Sequence, residues 1–491
     1  MTTWLEENQI VTSSPALGRA SAMLLREIAA AVLDTQFRTL PEQAVQTAKE
    51  GILDTIGVTL AGAHSEDAGP LSRTILDTAG EGRSLIFGDD RRTDALSAAL
   101  INGMAAHVLD FDDCSNTMGG HPSAPVVPAI WALAEEIGSD GAAFVTAYVA
   151  GVECESKIGR AVNFHHYEKG WHPTATLGTF GSAAACGHLL GLDPERLAHA
   201  LAIAASMASG LKANFGTMTK PFHVGHAARN GLLAALLARN GMNANPAALE
   251  DSQGFFLVYN GAGTFAAERI LQEWNNPLDL IEPGIAFKRH PCCGSTHSAV
   301  DAMLELRSRY HLTPDSVALV ESWTHPRRLK HTNRPNPQNG LDGKFSVQYV
   351  LARALAEGIV SLDHFSDDAV FDPSIRELMG RVKAAPDPLA TMETTDHFYA
   401  RVRITLRSGE QVEAFVDRPV GRDRAHPLPA GTLEAKFRDC AGQVLSDAAA
   451  AHLLERLLAL DTVGPIALLS NIIAEGMKPA ARSERAPRRA I

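Results

Sequence analysis

Three basic corners recur along the chain: His121-Pro122-Ser123, His172-Pro173-Thr174 and Lys220-Pro221-Phe222-His223. Each sets a basic side chain just before a proline, and a helical pattern follows. Proline bars the preceding residue from helical geometry and is itself suited to a first turn. The basic group is therefore expected at a helix N-terminus, where free N–H groups and the positive dipole end attract anions. Three such corners around one cleft would hold a substrate with two or three carboxylates. The same helix ends disfavour imidazolium, so His121 and His172 are expected neutral near pH 7 and able to exchange protons.

A short loop before His121 lies Leu109-Asp110-Phe111-Asp112-Asp113. Three carboxylates in four residues suit a solvated turn, a helix cap or a metal cluster. No H-x-x-x-H or H-E-x-x-H pattern lies near, and His223 and His226 are isolated, so no metal is expected. Asp110 is expected to stand beside cationic groups as acid, base or orienter. No glycine-rich phosphate loop or G-x-S-x-G occurs in a strand–turn–helix setting, which speaks against nucleotide cofactors and hydrolase triads.

A chain of 491 residues must position these groups, enough for roughly three domain-sized pieces. Hydrophobic residues make up 45% and charged residues 20%, and the net charge is −12. An acidic surface argues against nucleic-acid or anionic-membrane partners. The opening MTTWLEENQIV lacks the basic and apolar regions of a signal peptide. No apolar run reaches the roughly 18 residues of a membrane span. Six cysteines without C-x-x-C spacing, Cys292-Cys293 adjacent among them, point to a reducing, cytoplasmic compartment.

Helix follows helix over the first 280 or so residues. Val45, Ala48, Ile52, Ile56 and Leu60 share one face after Pro41. Asp193 and Pro194 form a cap and first turn for a helix through Met207, stopped by Gly210. Ser123–Ile137, Ala142–Ile158 and Val224–Asn240 are also expected helices. After Ile285 the pattern changes. Val317–Trp323 is strand-like, and Tyr399–Val416 alternates around a Ser408-Gly409 turn as a hairpin. Helical patterns at Gln348–Glu357 and Ser374–Val382 lie between, and helix returns from Leu433 to Met477. The expected architecture is mainly α: a large helical domain (1–284), a smaller α+β lid domain (285–427), a returning helical part (428–477) and a disordered tail (478–491).

The segments Ile52–Gly57, Leu109–Asp113, Gly120–Ser123, Gly170–Thr174 with Gly178–Gly181, and Thr217–Pro221 with Ala227–Gly231 resemble the MmgE/PrpD family. The likeness continues through Phe287-Lys288-Arg289 and Lys344–Tyr349. That family includes 2-methylcitrate dehydratase, cis-aconitate decarboxylase and iminodisuccinate epimerase. The resemblance implies a helical domain with an α+β lid, a homodimer, no cofactor and a small di- or tricarboxylate substrate. It places active-site positions on Asp110, His121, His172, Lys220 and Lys288. Two lid positions depart from the decarboxylase pattern: Cys293 stands for a histidine and His331 for a tyrosine. Lys220 and Lys288 would pin carboxylates, His172 and Asp110 would move protons, and His121 would orient. Cys293 and His331, with His223, would contact the substrate, and Cys293 as a thiolate would supply the second base that epimerisation needs. A 2-methylcitrate dehydratase-like hydro-lyase is the leading expectation. An epimerase, a decarboxylase and a catalytically silent carboxylate-binding protein are the alternatives.

Overall fold

A computed structural model describes residues 24–272, 274–390 and 398–479. Eight helices of the N-terminal part carry the scaffold: α1 (Leu24–Leu33), α2 (Glu42–Ala63), α3 (Ala95–Val108), α4 (Ser123–Ile137), α5 (Gly141–Val162), α6 (Pro173–Leu189), α7 (Pro194–Met207) and α8 (Thr219–Arg239). Local sequence explains their starts. Asp94, Asp140 and Asp193 each accept a hydrogen bond from the backbone N–H three residues on, capping α3, α5 and α7. Small residues then let the helices approach closely. A Cβ on Gly225 of α8 would lie 2.2 Å from the carbonyl oxygen of Leu100 on α3. Only glycine permits that crossing.

The α+β part is built on α9 (His297–Tyr310), β1 (Val317–Thr324), α10 (Val347–Glu357), β2 (Val382–Pro386), β3 (Ala400–Leu406) and β4 (Gln411–Val416). Its sheet has the order β2-β1-β3-β4, with β1–β2 parallel and the other pairs antiparallel. Val402, Ile404, Val412 and Ala414 turn inward onto α9 and α10, as the alternation predicts. The helical pattern at Ser374–Val382 is divided: a helix covers Pro373–Met379 and Val382 opens β2. The first part also holds a two-residue ladder, Ser84–Leu85 with Arg92–Thr93.

Helices α11 (Thr432–Ala441), α12 (Asp447–Leu458) and α13 (Ala467–Gly476) return to the first part. Leu433, Phe437, Leu453 and Leu469 share one apolar core with Ile52, Ile56, Trp131 and Tyr148. The tail expected to be disordered lies, from residue 480, outside the described residues.

Candidate active site

The three acidic residues that follow α3 have three different fates. Asp110 sits at φ 51°, a left-handed turn that few non-glycine residues adopt. This turn aims its carboxylate at two lysines: Lys220 Nζ lies 2.5 Å from Oδ1 and Lys288 Nζ 3.2 Å from Oδ2. Lys288 also donates to the Asp110 carbonyl at 2.7 Å. Burial favours the neutral acid, but Lys220 and Lys288 outweigh it and hold Asp110 well below the usual carboxylate range. Asp112 instead serves two histidines, with His107 Nδ1 at 2.7 Å and His121 Nδ1 at 3.1 Å from the same oxygen. Asp113 accepts from the backbone N–H and hydroxyl of Ser123, fixing the start of α4.

His121 and His172 end up in opposite states. Burial disfavours charge on His121, yet Asp112 and then the charge of a Cys114 thiolate, whose Sγ is 3.8 Å from Nδ1, push its pKa up to about 10. The neutral His121 expected from its helix end is therefore wrong: a buried carboxylate at hydrogen-bond distance outweighs a helix dipole. His172 is neutral as expected, for a wider reason. Burial first, then His107 and Lys220, drive its pKa well below the ordinary value. It occupies the N-cap position of α6 without a side-chain capping bond, its backbone N–H donates to Gly210 O at 3.0 Å, and its Nδ1 lies 3.3 Å from His223 Nδ1. The His121 N–H reaches Thr174 Oγ1 at 3.2 Å, which ties the two histidine corners together.

Lys220 lies within the first turn of α8, which begins at Thr219, rather than ahead of the helix. Lys288 is held by an anchor that sequence reading missed. Lys436 of α11 donates to Phe111 O at 2.6 Å and Lys288 O at 3.1 Å while pairing with Asp54 at 2.6 Å.

Asp110, His121, His172, Lys220, Lys288, Cys293 and His331 all line one cavity between the two parts. His223 does not line it but stands behind His172. Burial, with Asp110 nearby, pushes the Cys293 thiol up, so the expected thiolate at that position is not supported. Cys114, not singled out from sequence, is the cavity thiol that is lowered. Burial raises it, but His121 and Lys288 bring it down to about 7. His331 accepts from or donates to Ser295 Oγ at 3.1 Å. Burial and then Arg328 lower its pKa to about 3.

His107, Asp112 and His121 are close enough together to be considered as metal ligands. Tetrahedral donors around zinc at 2.0–2.1 Å stand about 3.3 Å apart. The Asp112 contacts at 2.7 and 3.1 Å are hydrogen-bond distances, with both rings on one oxygen. This set fits a proton-sharing relay better than a metal.

The fold and site together define a two-part, mainly helical protein whose cavity gathers ammonium and imidazole groups around one carboxylate. Residues 26–268 match the MmgE/PrpD N-terminal domain and residues 290–461 the MmgE/PrpD C-terminal domain. The chain belongs to the MmgE/PrpD family. It is 30% identical to cis-aconitate decarboxylase of Homo sapiens over 95% of this chain and 98% of that protein. It is 27% identical to cis-aconitate decarboxylase of Aspergillus terreus over 88% of this chain and 92% of that protein. It is 24% identical to 2-methylcitrate dehydratase of Cupriavidus necator over 82% and 87%. These relatives are enzymes, a decarboxylase in two cases and a hydro-lyase in the third. Among the described residues, no helix is long and apolar enough to cross a membrane.

Proposed function

We propose that this protein is a metal-free hydro-lyase that removes water from a small hydroxy-polycarboxylate, of the 2-methylcitrate type. The observation that carries this reading is that one cavity holds two histidines in opposite surroundings, His121 on a carboxylate and His172 among imidazole and phenyl rings. His121 has the Asp112 carboxylate at 3.1 Å, whereas His172 contacts His107, His223 and Phe215 and no carboxylate among the described residues. Two groups whose surroundings push their pKa values apart are natural acid and base partners.

With a proton on His172 Nδ1, shared toward His223, the Nε2 lone pair is the base. It takes the hydrogen from the carbon next to a carboxylate. Lys220 and Lys288 stabilise the negative charge that develops there, an electrostatic contribution typically worth several kcal/mol. As the C–O bond breaks, His121 gives its proton to the leaving hydroxyl, so water departs and a carbon–carbon double bond forms. Asp112 orients His121 and keeps it charged, while His107 shares the same Asp112 oxygen. Asp110, with Lys220 and Lys288 on its two carboxylate oxygens, holds the lysines in place. A bound polyanion would offset Lys220 and raise the basicity of His172.

A second reading is decarboxylation, favoured by the 30% identity to the human decarboxylase over nearly the whole chain. There His121 would protonate the carbon that loses CO2, and His172 would have no proton to remove. Proton NMR in deuterated water with 2-methylcitrate, citrate, cis-aconitate and iminodisuccinate separates the readings. Alkene formation from a hydroxy acid supports the hydro-lyase. CO2 loss from cis-aconitate without dehydration of any hydroxy acid overturns it, as does deuterium exchange in iminodisuccinate alone. A chelator should leave the rate unchanged; loss restored by a divalent ion would contradict the metal-free assignment. We extend the proposal to a homodimer, as family resemblance implies, in a reducing, cytoplasmic compartment, the reading drawn from six cysteines without C-x-x-C spacing.

A further inference from the structure

The lysines line only the cavity, whereas Arg328 and Arg422 line both the cavity and an outer groove that continues from it. The two arginines therefore stand at the mouth and the lysines at the floor. Both guanidinium groups stack on Phe398, with centres 3.7 Å (Arg328) and 3.5 Å (Arg422) from the ring centroid. A ring has two faces, and at these separations each face takes one guanidinium. The aromatic ring spaces two cations that would otherwise repel, in a favourable cation–π geometry.

Each arginine has a built seat. Arg328 lies on the short helix Pro326–Thr332, which also carries His331. Arg422 follows Gly421, whose N–H donates to His426 O and whose carbonyl accepts from Phe287 N, one residue before Lys288. Gly421 has φ +84°, and a Cβ there would lie 2.3 Å from Phe287 O. Arg422 and Cys114 line both the cavity and the groove. Beyond the mouth the groove carries Arg160, Arg269, Arg418 and Arg424, of which Arg160 pairs with Asp279 and Arg418 with Asp423. Arginines outnumber the carboxylates that line it, on a chain of net charge −12.

We propose that Arg328 and Arg422, stacked on Phe398, clamp the distal carboxylate of a substrate whose reacting end lies at Lys220 and Lys288, and so select tricarboxylates over dicarboxylates. The proposal rests on the carboxylate reading of the cavity but not on the reaction assigned to it. Guanidinium forks suit a planar carboxylate, and hydrogen bonds to charged groups are among the stronger ones.

The test is calorimetric binding of two unreactive probes, propane-1,2,3-tricarboxylate and glutarate, to the full-length protein and to Arg328→Met, Arg422→Met and Arg422→Lys. Wild type should bind the tricarboxylate more tightly. Each methionine variant should weaken the tricarboxylate by about 10-fold or more and glutarate by less than about 3-fold. Arg422→Lys should fall between, because it keeps the charge and loses the fork. Misfolding would weaken both probes alike, so each variant is first required to melt within a few degrees of wild type. In such folded variants, equal weakening of the two probes or an unchanged preference would overturn the clamp, as would no preference in the wild type. Neither probe turns over, so a failed dehydration assay would count against the hydro-lyase reading and leave this result intact.

Discussion

At the residue scale, function hangs on how neighbours divide protons between His121 and His172. Replacing His172 with Ala removes the proposed base from the cavity wall at the start of α6, where its side chain makes no capping hydrogen bond. Turnover should fall by roughly 10²–10⁴-fold with the melting temperature nearly unchanged. A wild-type rate in a folded H172A protein would exclude His172 from the chemistry. Asp112→Asn tests the other partner. In the wild type the proton on His121 is lost only as pH rises toward about 10. The basic limb of kcat/KM should therefore move to lower pH in D112N. Stability should follow the same linkage. A histidine whose folded pKa is raised contributes stability fully below about 6.5, lost as pH rises toward the folded value. D112N should lose stability below pH 7 and lose less near pH 10. A uniform loss across pH would mean that Asp112 acts only as a structural hydrogen-bond acceptor.

At the element scale, the distance between Asp110 and Lys220 is set by how α3 and α8 cross. Asp110 follows the end of α3, Lys220 opens α8, and the helices touch at Leu100, Gly103 and Gly225. Gly225→Val should destabilise the protein by about 1–3 kcal/mol and lower kcat by widening the lysine–carboxylate contact. Full activity in that variant would show that the crossing does not set the site. Much of this level was legible from sequence. Proline before Ser123 and Thr174 acts through local sterics, and Asp193 with Pro194 marked a helix start that the structure reproduces. Contacts created by chain return were not. Lys436 reaches Phe111 across 325 positions, and Arg422 owes its place to a loop that pairs with Phe287. His107 was hidden because it reaches Asp112 only through the left-handed turn at Asp110, which no local pattern announces.

At the scale of the whole molecule, two cores meet around a cavity lined by residues of both the helical and the α+β part. The helical core also contains an acidic group with no role in the site. Glu155 is fully buried on α5, and neither carboxylate oxygen has a hydrogen-bond partner among the described residues. Burial first, then Asp113, raises its pKa well above the ordinary value. The unfolded chain releases this proton above about pH 4.3 while the folded chain keeps it, so Glu155 costs stability increasingly as pH rises. Glu155→Gln should melt higher than wild type, by a margin that widens from pH 5 to pH 8. A margin independent of pH would show that Glu155 is ionised in the folded state.

The acid–base assignment is tested most directly by nitrogen-15 NMR of the imidazole rings, with His121 and His172 assigned from the H121Q and H172Q spectra. His121 should remain an imidazolium through pH 8 and titrate near 10. His172 should remain neutral down to pH 5, in keeping with its strongly depressed pKa. If both rings titrate together near the ordinary value of about 6.5, the cavity holds no prepared acid and base, and the proposed elimination fails.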